Sequence, residues 1–247
     1  MKLYNKEDIK TVIFAGGEGS RLSELTCKTP KPMVEIGGYP LIWHIMKVYS
    51  YYGFNKFILT LGYKKDYIIN FITNTPHGIQ MFKDFEITLV DTGDSDTPQG
   101  ERLHKCQHYL KESIFMCANG DTLMNINIDA QLKQHLNNGF IATTAITKVP
   151  HSYGIIESNS KGELISYNKG HLMNETINTG FLILNKEYFN YLKPEMAIED
   201  PFEVLAKDKK MGAYYTDAYI HTVETLKDYR KASEAWIKNP TWKVWKS

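Results

Sequence analysis

The sequence predicts a single large Rossmann-like α/β domain with a mostly parallel central sheet flanked by helices. Short apolar, β-favouring runs alternate with segments that carry apolar residues at helical spacing. Near-continuous apolar strands are typical of parallel sheets covered on both faces. No repeat or linker divides the 247 residues, a length that one α/β unit can reach. We therefore expect one domain.

The elements follow in order along the chain. Strands are expected at 11–15, 57–61, 86–90 and 114–118. Helices are expected around 41–52, 68–72, 103–110 and 128–136. After about residue 150 shorter strands follow at 154–157, 164–167 and 177–184, and then a last helix over 226–236. The aromatic tail 240–245 is expected to pack on its own domain or on a partner subunit.

Composition excludes several classes of protein. The formal net charge is +1 and the lysines are scattered among acids, which disfavours bulk nucleic-acid binding. The charged start Met1–Asp8 is unlike a signal peptide, and no segment has the length of a membrane span. The three cysteines, Cys27, Cys106 and Cys117, are far apart and have no C-x-x-C spacing. This pattern fits a protein of a reducing compartment better than one with disulfides or a zinc site. We expect a cytoplasmic protein without membrane or nucleic-acid partners.

The strongest local pattern is a glycine-rich loop, 16–19, between the first strand and an expected helix start. Glycines let backbone N–H groups approach a polyphosphate, a helix N-terminus adds a favourable dipole, and Arg21 supplies a cationic fork. A tight structural turn explains a glycine cluster equally well. The loop lacks the Gly-Lys-Ser/Thr end of a P-loop, and 59–62 lacks the acid of a dinucleotide fold.

Lys31 stands between two prolines, ten residues after Arg21. Because prolines restrict the backbone, we expect Lys31 to project from a stiff extended segment near the glycine loop. There its charge could stabilise departing pyrophosphate. A surface turn is the alternative.

The combination of 15–22, 31–34 and 38–42 resembles the opening of sugar-phosphate nucleotidylyltransferases. Segments 43–47 and 90–95 look most like the glucose-1-phosphate cytidylyltransferase branch. The likeness spans nearly the whole chain but is looser in its second half. It implies a fold of the nucleotide-diphospho-sugar transferase type. It also implies an enzyme that joins CTP to a small phosphorylated acceptor and releases pyrophosphate. It also implies a homo-oligomer, a nucleotide-binding part over about 1–150 and an acceptor-binding part over about 151–247.

The resemblance implies a Mg²⁺ site. Asp121 follows a buried strand in Asn119-Gly120-Asp121, which resembles the family's metal-binding Gly-Asp. The family's second metal ligand is an Asp, and the matching residue here is Glu224. Magnesium is held by one or two carboxylates together with phosphates and waters. Alternatively, Asp121 satisfies a turn and Glu224 opens the last helix.

The resemblance also implies the nucleotide site. Arg21 and Lys31 are expected to act on the triphosphate during an in-line attack without a covalent enzyme intermediate. The loop at 92–102 resembles the cytidylyltransferase loop near the base, which favours CTP over UTP or dTTP. The expected nucleotide-binding residues are Ala15, Gly16, Gly17, Gly19, Ser20, Arg21, Lys31, Thr92, Gly93, Asn119 and Gly120.

For the acceptor, Lys169 keeps the register of the family's phosphate-binding lysine. Asn168 replaces a Glu that helps to hold sugar hydroxyls in the relatives, which leaves the acceptor open. A non-sugar phosphate such as phosphoglutamine or a polyol phosphate is one alternative, and a regulatory nucleotide-binding protein without turnover is another. Gly154 in the loop 151–154, Asn178 and Gly180 complete the expected acceptor site.

Overall fold

The computed structural model describes residues 5–151 and 153–246, so Ser152 of the expected loop 151–154 lies outside the described residues. The strands are β1 (Lys10–Phe14), β2 (Glu35–Ile36), β3 (Tyr39–Pro40), β4 (Lys56–Leu61), β5 (Glu86–Asp91), β6 (Ile114–Asn119), β7 (Thr122–Met124), β8 (Ala142–Thr147), β9 (Ile155–Ser158), β10 (Leu164–Asn168), β11 (Ile177–Asn185), β12 (Met211–Tyr215) and β13 (Ile220–Thr222). The helices are α1 (Ser23–Thr26), α2 (Leu41–Tyr51), α3 (Lys65–Asn74), α4 (Pro76–Phe82), α5 (Gln99–Cys106), α6 (Ile128–Asn138), α7 (Phe202–Lys207) and α8 (Leu226–Lys238). Among the described residues no helix is both long and apolar enough to cross a bilayer.

A seven-stranded sheet in the order β12-β8-β11-β6-β1-β4-β5 forms the centre of the domain. β1 pairs in parallel with both β4 and β6, and β4 pairs in parallel with β5. β11 runs antiparallel to β6 and β8. The predicted mostly parallel sheet is confirmed, and the carboxyl ends of β1, β4, β5 and β6 lie at one edge.

Alternate residues of the strands build a core on each face of the sheet. Ile13 of β1 belongs to a buried cluster with Ile45 of α2, whereas Val12 belongs to a second cluster with Leu103 of α5. This alternation explains why β1 is apolar throughout its centre. Because both faces of the sheet are buried, the carboxyl end of β1, where the glycine loop begins, is held in a fixed position.

Several short elements escaped prediction. β12 contains Gly212, which lowers β-propensity, and β7 and β13 have only three residues each. α4 begins at Pro76 and includes Gly78, where a Cβ would lie 1.9 Å from the Phe71 carbonyl oxygen. Close backbone approach therefore requires a glycine inside this helix, and a glycine there obscures the helical pattern.

The aromatic tail packs on its own domain. Trp242 is fully buried, and its indole N–H donates to Nδ1 of the buried His44 over 3.3 Å. His44 Nε2 lies 3.0 Å from the Ile36 carbonyl oxygen, so it carries the proton and donates. Both ring nitrogens are thus used by the neutral imidazole, and the tail is tied to α2.

His44 predicts a loss of stability in acid. Burial lowers the pKa of the His44 imidazole to about 4 from 6.5. Because the folded-state pKa lies below the unfolded value, this contribution is complete above pH 6.5 and is lost as the pH falls toward 4, by about 3 kcal/mol. Urea unfolding at pH 7.5 and pH 4 measures this loss. His44→Gln should show a flatter pH dependence than the wild type, whereas exposed His77→Gln should not; equal slopes for all three proteins would contradict the assignment.

Candidate active site

Three strand ends meet around the glycine loop. The Gly120 N–H donates to the Phe14 carbonyl over 3.0 Å, and the Ala15 N–H donates to the Thr60 carbonyl over 3.1 Å. The Tyr63 N–H donates to the Gly16 carbonyl over 3.0 Å. These bonds join the segments after β1, β4 and β6 into one wall at the carboxyl edge of the sheet, which is where ligands bind in open α/β sheets.

The loop glycines meet different surroundings. Gly19 has φ of 67°, and a Cβ there would lie 2.8 Å from Lys31 Cβ. A Cβ on Gly120 would lie 2.6 Å from the Phe14 carbonyl oxygen, whereas one on Gly17 would meet no atom of the described residues within 4 Å. Gly17 therefore faces open space. The cavity there is lined by Phe14, Ala15, Gly17, Gly19, Lys31, Pro32, Gly120 and Asp121.

Lys31 and Asp121 form an ion pair inside this cavity. Lys31 Nζ lies 2.6 Å from Asp121 Oδ2, and the two side chains are only 14% and 25% exposed. Lys31 begins the 3₁₀ turn Lys31–Met33 after extended Pro30, so the expected extended segment is wrong. The reason is that proline is tolerated in a first helical turn. The turn still aims the lysine at the glycine loop.

Arg21 and Glu224 form a second ion pair, with 2.6 Å between Arg21 Nη1 and Glu224 Oε2. Pairing of β7 with β13 and a 3.0 Å bond from the Val223 N–H to the Asp121 carbonyl bring Glu224 beside Asp121. Glu224 precedes the N-cap Thr225 of α8 instead of lying within that helix. Each candidate metal ligand is therefore paired with a side chain that is a candidate for binding the triphosphate.

The two ion pairs lie at two adjoining cavities. A second hollow shares Gly19 and Lys31 with the first cavity and is lined by Gly19, Ser20, Arg21, Lys31 and Glu224. The expected helix dipole at this point is weak, because a 3₁₀ turn, Ser20–Leu22, is followed by the single-turn α1. Side-chain charges and loop amides supply the positive character.

Arg102 is buried directly behind the glycine loop, at 3% exposure. Its guanidinium donates to the Gly16 carbonyl over 3.3 Å and to the Thr92 hydroxyl over 2.7 Å, and also to the carbonyls of Leu61, Asp94, Ser95 and Thr97. Burial lowers the pKa of this guanidinium. Arg102 thus fixes the position of the loop after β5 relative to the glycine loop.

Thr92 and Gly93 lie in the loop after β5, where both form hydrogen bonds within the protein. Thr92 is fully buried, and its hydroxyl donates to the Leu61 carbonyl over 2.7 Å. Gly93 has φ of 107°, and its N–H donates to Asp91 Oδ1 over 3.1 Å. The Thr92 side chain is therefore used to position Arg102, and its predicted contact with a nucleotide stays a prediction.

Asn119, at the end of β6, lies beside Asn178 and Gly180 of β11. Gly180 has φ of 77°, which favours glycine, and a Cβ there would lie 2.4 Å from Asn119 Nδ2. Asn178 Oδ1 accepts from the Gly180 N–H over 3.1 Å, and Asn178 Nδ2 donates to Glu199 Oε1 over 3.4 Å. Burial raises the pKa of the Glu199 carboxyl. Two predicted acceptor residues thus adjoin the predicted nucleotide residue Asn119.

Gly154, Asn168 and Lys169 lie on or beside the β9–β10 hairpin instead. Asn168 and Lys169 are exposed, and a Cβ on Gly154 would lie 2.2 Å from the Tyr167 ring. Among the described residues, hydrogen bonds and ion pairs link none of these three to Lys31, Asp121 or Asn178. Their role in acceptor binding stays a prediction.

The acidic residues fit a magnesium site that phosphate and water complete better than a metal site made of protein ligands alone. Within residues 5–151 and 153–246 no group of three or more His, Cys, Asp or Glu side chains could hold a metal. Asp121 and Glu224 supply two carboxylates on neighbouring backbone, beside a cavity open to phosphate and water. That donor set fits a hard cation that keeps several waters.

A family model described as nucleotidyl transferase matches residues 10–238 of the chain. The chain belongs to the nucleotidyl transferase family. A glucose-1-phosphate cytidylyltransferase of Salmonella typhimurium is 34% identical, and a probable glucose-1-phosphate cytidylyltransferase of Bacillus subtilis is 33% identical; each comparison covers 96% of this chain and 100% of the relative. The predicted resemblance to this branch is confirmed.

The solved structure of HddC from Yersinia pseudotuberculosis has the same fold as this nucleotidyltransferase. The TM-score is 0.70 at 26% identity, and the match covers 92% of this chain and 99% of that one. The predicted fold class is confirmed.

Sequence reasoning missed Arg102 and Glu199. Arg102 lies in α5 with charged neighbours, so its burial becomes visible only once the loop after β5 folds over it. Glu199 precedes α7 in a segment without a strand or helix pattern, and its closeness to Asn178 comes from tertiary packing. The sequence offered one signal for Arg102: it lies on the short helix that follows the Thr92-Gly93-Asp94 loop.

Gly17→Ala tests the cavity as a triphosphate site. Because the added methyl group meets no atom in the part of the chain that the structure describes, the melting temperature should stay within 2 °C of wild type, a shift of about 0.5 kcal/mol or less. A bound triphosphate would meet the methyl group, so CTP affinity by calorimetry should fall at least about tenfold. Gly19→Ala is the contrasting variant: its positive φ and the contact with Lys31 should lower stability as well. Unchanged CTP affinity in Gly17→Ala would place the nucleotide elsewhere.

Proposed function

We propose that this chain is a CTP-dependent cytidylyltransferase that converts CTP and a sugar 1-phosphate such as glucose 1-phosphate into a CDP-linked product and pyrophosphate. The observation that carries the proposal is the cavity where the glycine loop, Lys31 and Asp121 meet. Identity of 33–34% over 96% of the chain to glucose-1-phosphate cytidylyltransferases supports the choice of substrates.

In the reaction an oxygen of the acceptor phosphate attacks the α-phosphorus of CTP in line. One P–O bond forms, the bond to pyrophosphate breaks, and no covalent enzyme intermediate arises. Loop amides at Gly17 and Gly19 orient the triphosphate, while Lys31 and Arg21 neutralise the charge that develops on pyrophosphate. Positioning and charge are sufficient for phosphoryl-type transfer.

Asp121 and Glu224 would hold Mg²⁺, which when bound supplies charge neutralisation at the phosphate oxygens. Thr122 Oγ1 donates to Asp121 Oδ1 over 3.1 Å and orients that carboxylate. Arg102 fixes the loop after β5, where the resemblance places the base of CTP.

The acceptor binds, in this proposal, where Asn178, Gly180 and Glu199 adjoin Asn119. Lys169 on the hairpin takes the acceptor phosphate. A second candidate is the same transfer to a non-sugar phosphate, such as phosphoglutamine or a polyol phosphate. It is favoured by Asn168, an amide at the position where the resemblance to the family implies a sugar-binding Glu.

Pyrophosphate release over a grid of substrates tests the function. CTP, UTP and dTTP are each combined with glucose 1-phosphate, phosphoglutamine and a polyol phosphate, with Mg²⁺. We expect CTP with glucose 1-phosphate to react fastest. Asp121→Asn and Lys31→Met should each lower turnover at least about 100-fold, whereas Lys6→Met, which removes an ion pair before β1, should not. CTP binding without any product would contradict the proposal in favour of a regulatory protein.

We also propose that the protein is a cytoplasmic homo-oligomer in which the β9–β10 hairpin packs against a second copy. The two-stranded sheet stands apart from the main sheet, and an isolated hairpin is marginally stable. Its large apolar side chains are unusually exposed, at 64% for Ile165, 61% for Leu164 and 59% for both Ile156 and Tyr167. Such a patch is typical of an interface.

Ile165→Lys tests the oligomer. A charge on the hairpin should lower the molecular mass measured by light scattering toward that of the 28.5 kDa chain. Ile237→Lys, at an 84% exposed position on α8, is the matched control and should leave the mass unchanged. A monomeric wild type, or equal masses for all three proteins, would contradict this interface.

A further inference from the structure

We infer that Lys31 and Arg21 act, before substrate binds, as internal counter-cations of Asp121 and Glu224, and that a divalent cation and a triphosphate bind by exchange with these two ion pairs. Each ligand then promotes the binding of the other. The inference rests on the proposed function, in which the same four side chains hold the metal and the nucleotide.

The first pair is closed and partly buried. Lys31 Nζ contacts Asp121 Oδ2 at 2.6 Å, while Thr122 Oγ1 donates to Asp121 Oδ1 at 3.1 Å. Both carboxylate oxygens are thus engaged within the protein. At 14% and 25% exposure the pair is screened less than a surface pair. A divalent cation must displace the ammonium group or bind beside a like charge.

The second pair repeats this arrangement with more exposed partners. Arg21 Nη1 contacts Glu224 Oε2 at 2.6 Å, at 72% and 46% exposure. Solvent weakens this pair, so it contributes less to the coupling than the first. Val223 ties the two pairs together through its bond to the Asp121 carbonyl.

The charges explain why the two ligands depend on each other. A triphosphate alone must take Lys31 away from Asp121 and leave a bare carboxylate beside the phosphates. A divalent cation alone must take Asp121 away from Lys31 and leave a bare ammonium group beside the cation. When both bind, the lysine meets phosphate and the carboxylate meets metal, so every charge keeps a partner. This coupling is reciprocal by thermodynamic linkage.

Removing one partner should therefore strengthen the binding of the other ligand. Mn²⁺ binding to nucleotide-free protein, followed by electron paramagnetic resonance, tests the lysine. Lys31→Met should bind Mn²⁺ at least tenfold tighter than wild type. Lys31→Arg, which keeps the cation, should bind like wild type. Lys6→Met removes an equally short pair with Asp129 and should also bind like wild type.

Titration of metal-free protein with CTP in EDTA tests the carboxylate. Asp121→Asn frees Lys31 and should bind CTP at least fivefold tighter than wild type, whereas Asp129→Asn should not. Glu224→Gln should give a smaller gain in the same direction. Melting temperatures verify that each variant is folded.

Unchanged or weaker Mn²⁺ binding in folded Lys31→Met would overturn the inference, and so would wild-type Mn²⁺ affinity that is equal with and without CTP. These outcomes differ from a failure of the proposed function. If the wild type forms a CDP-linked product but Lys31→Met shows no gain, only the exchange of ion pairs is wrong. If Lys31→Met gains Mn²⁺ affinity but no substrate pair reacts, the ion pairs stand and the proposed reaction is wrong.

Discussion

The parallel pairing of β1 with both β4 and β6 is the constraint on which the rest of the structure depends. It brings the ends of three strands to one edge, so residues far apart in sequence form one wall. The Gly120 N–H bonds to the Phe14 carbonyl only because the two strands are in register there. The buried clusters on both faces hold that register. The position of the glycine loop is therefore set by the core.

The charged side chains at this edge of the sheet determine what the site can bind. Lys31 and Asp121 come from separate segments, yet each is aimed into the same cavity by a short turn at the sheet edge. Arg102 adds a buried positive charge behind the glycine loop, and its guanidinium donates to carbonyl oxygens and to the Thr92 hydroxyl, with no carboxylate partner among the described residues. A site built in this way attracts phosphate, and in the inferred exchange its two carboxylates bind a cation once phosphate takes their lysine and arginine partners. Rigid positioning, more than any reactive side chain, suits it to nucleotidyl transfer.

The sequence predicts what local patterns encode. Apolar runs located β1, β4, β5, β6 and β11 of the central sheet but not β8 or β12. The glycine loop with Lys31 and Asp121 was found because each follows a strand or a proline. The packing around Arg102 and Glu199 could not be predicted, because their surroundings are assembled by tertiary contacts. The 3₁₀ turn at Lys31 was hidden by its prolines, which suit both extended and first-turn backbone. The division near residue 150 and the individual site roles stay predictions.

Hydrogen exchange measured by mass spectrometry would test the central claim most directly. The claim is that the amides of the glycine loop bind a triphosphate at the carboxyl edge of the sheet. With CTP and Mg²⁺ present, peptides covering 15–22 should exchange more slowly than in the free protein, together with those covering 119–124. Unchanged exchange in both segments at saturating CTP, with protection confined to other regions, would contradict the account.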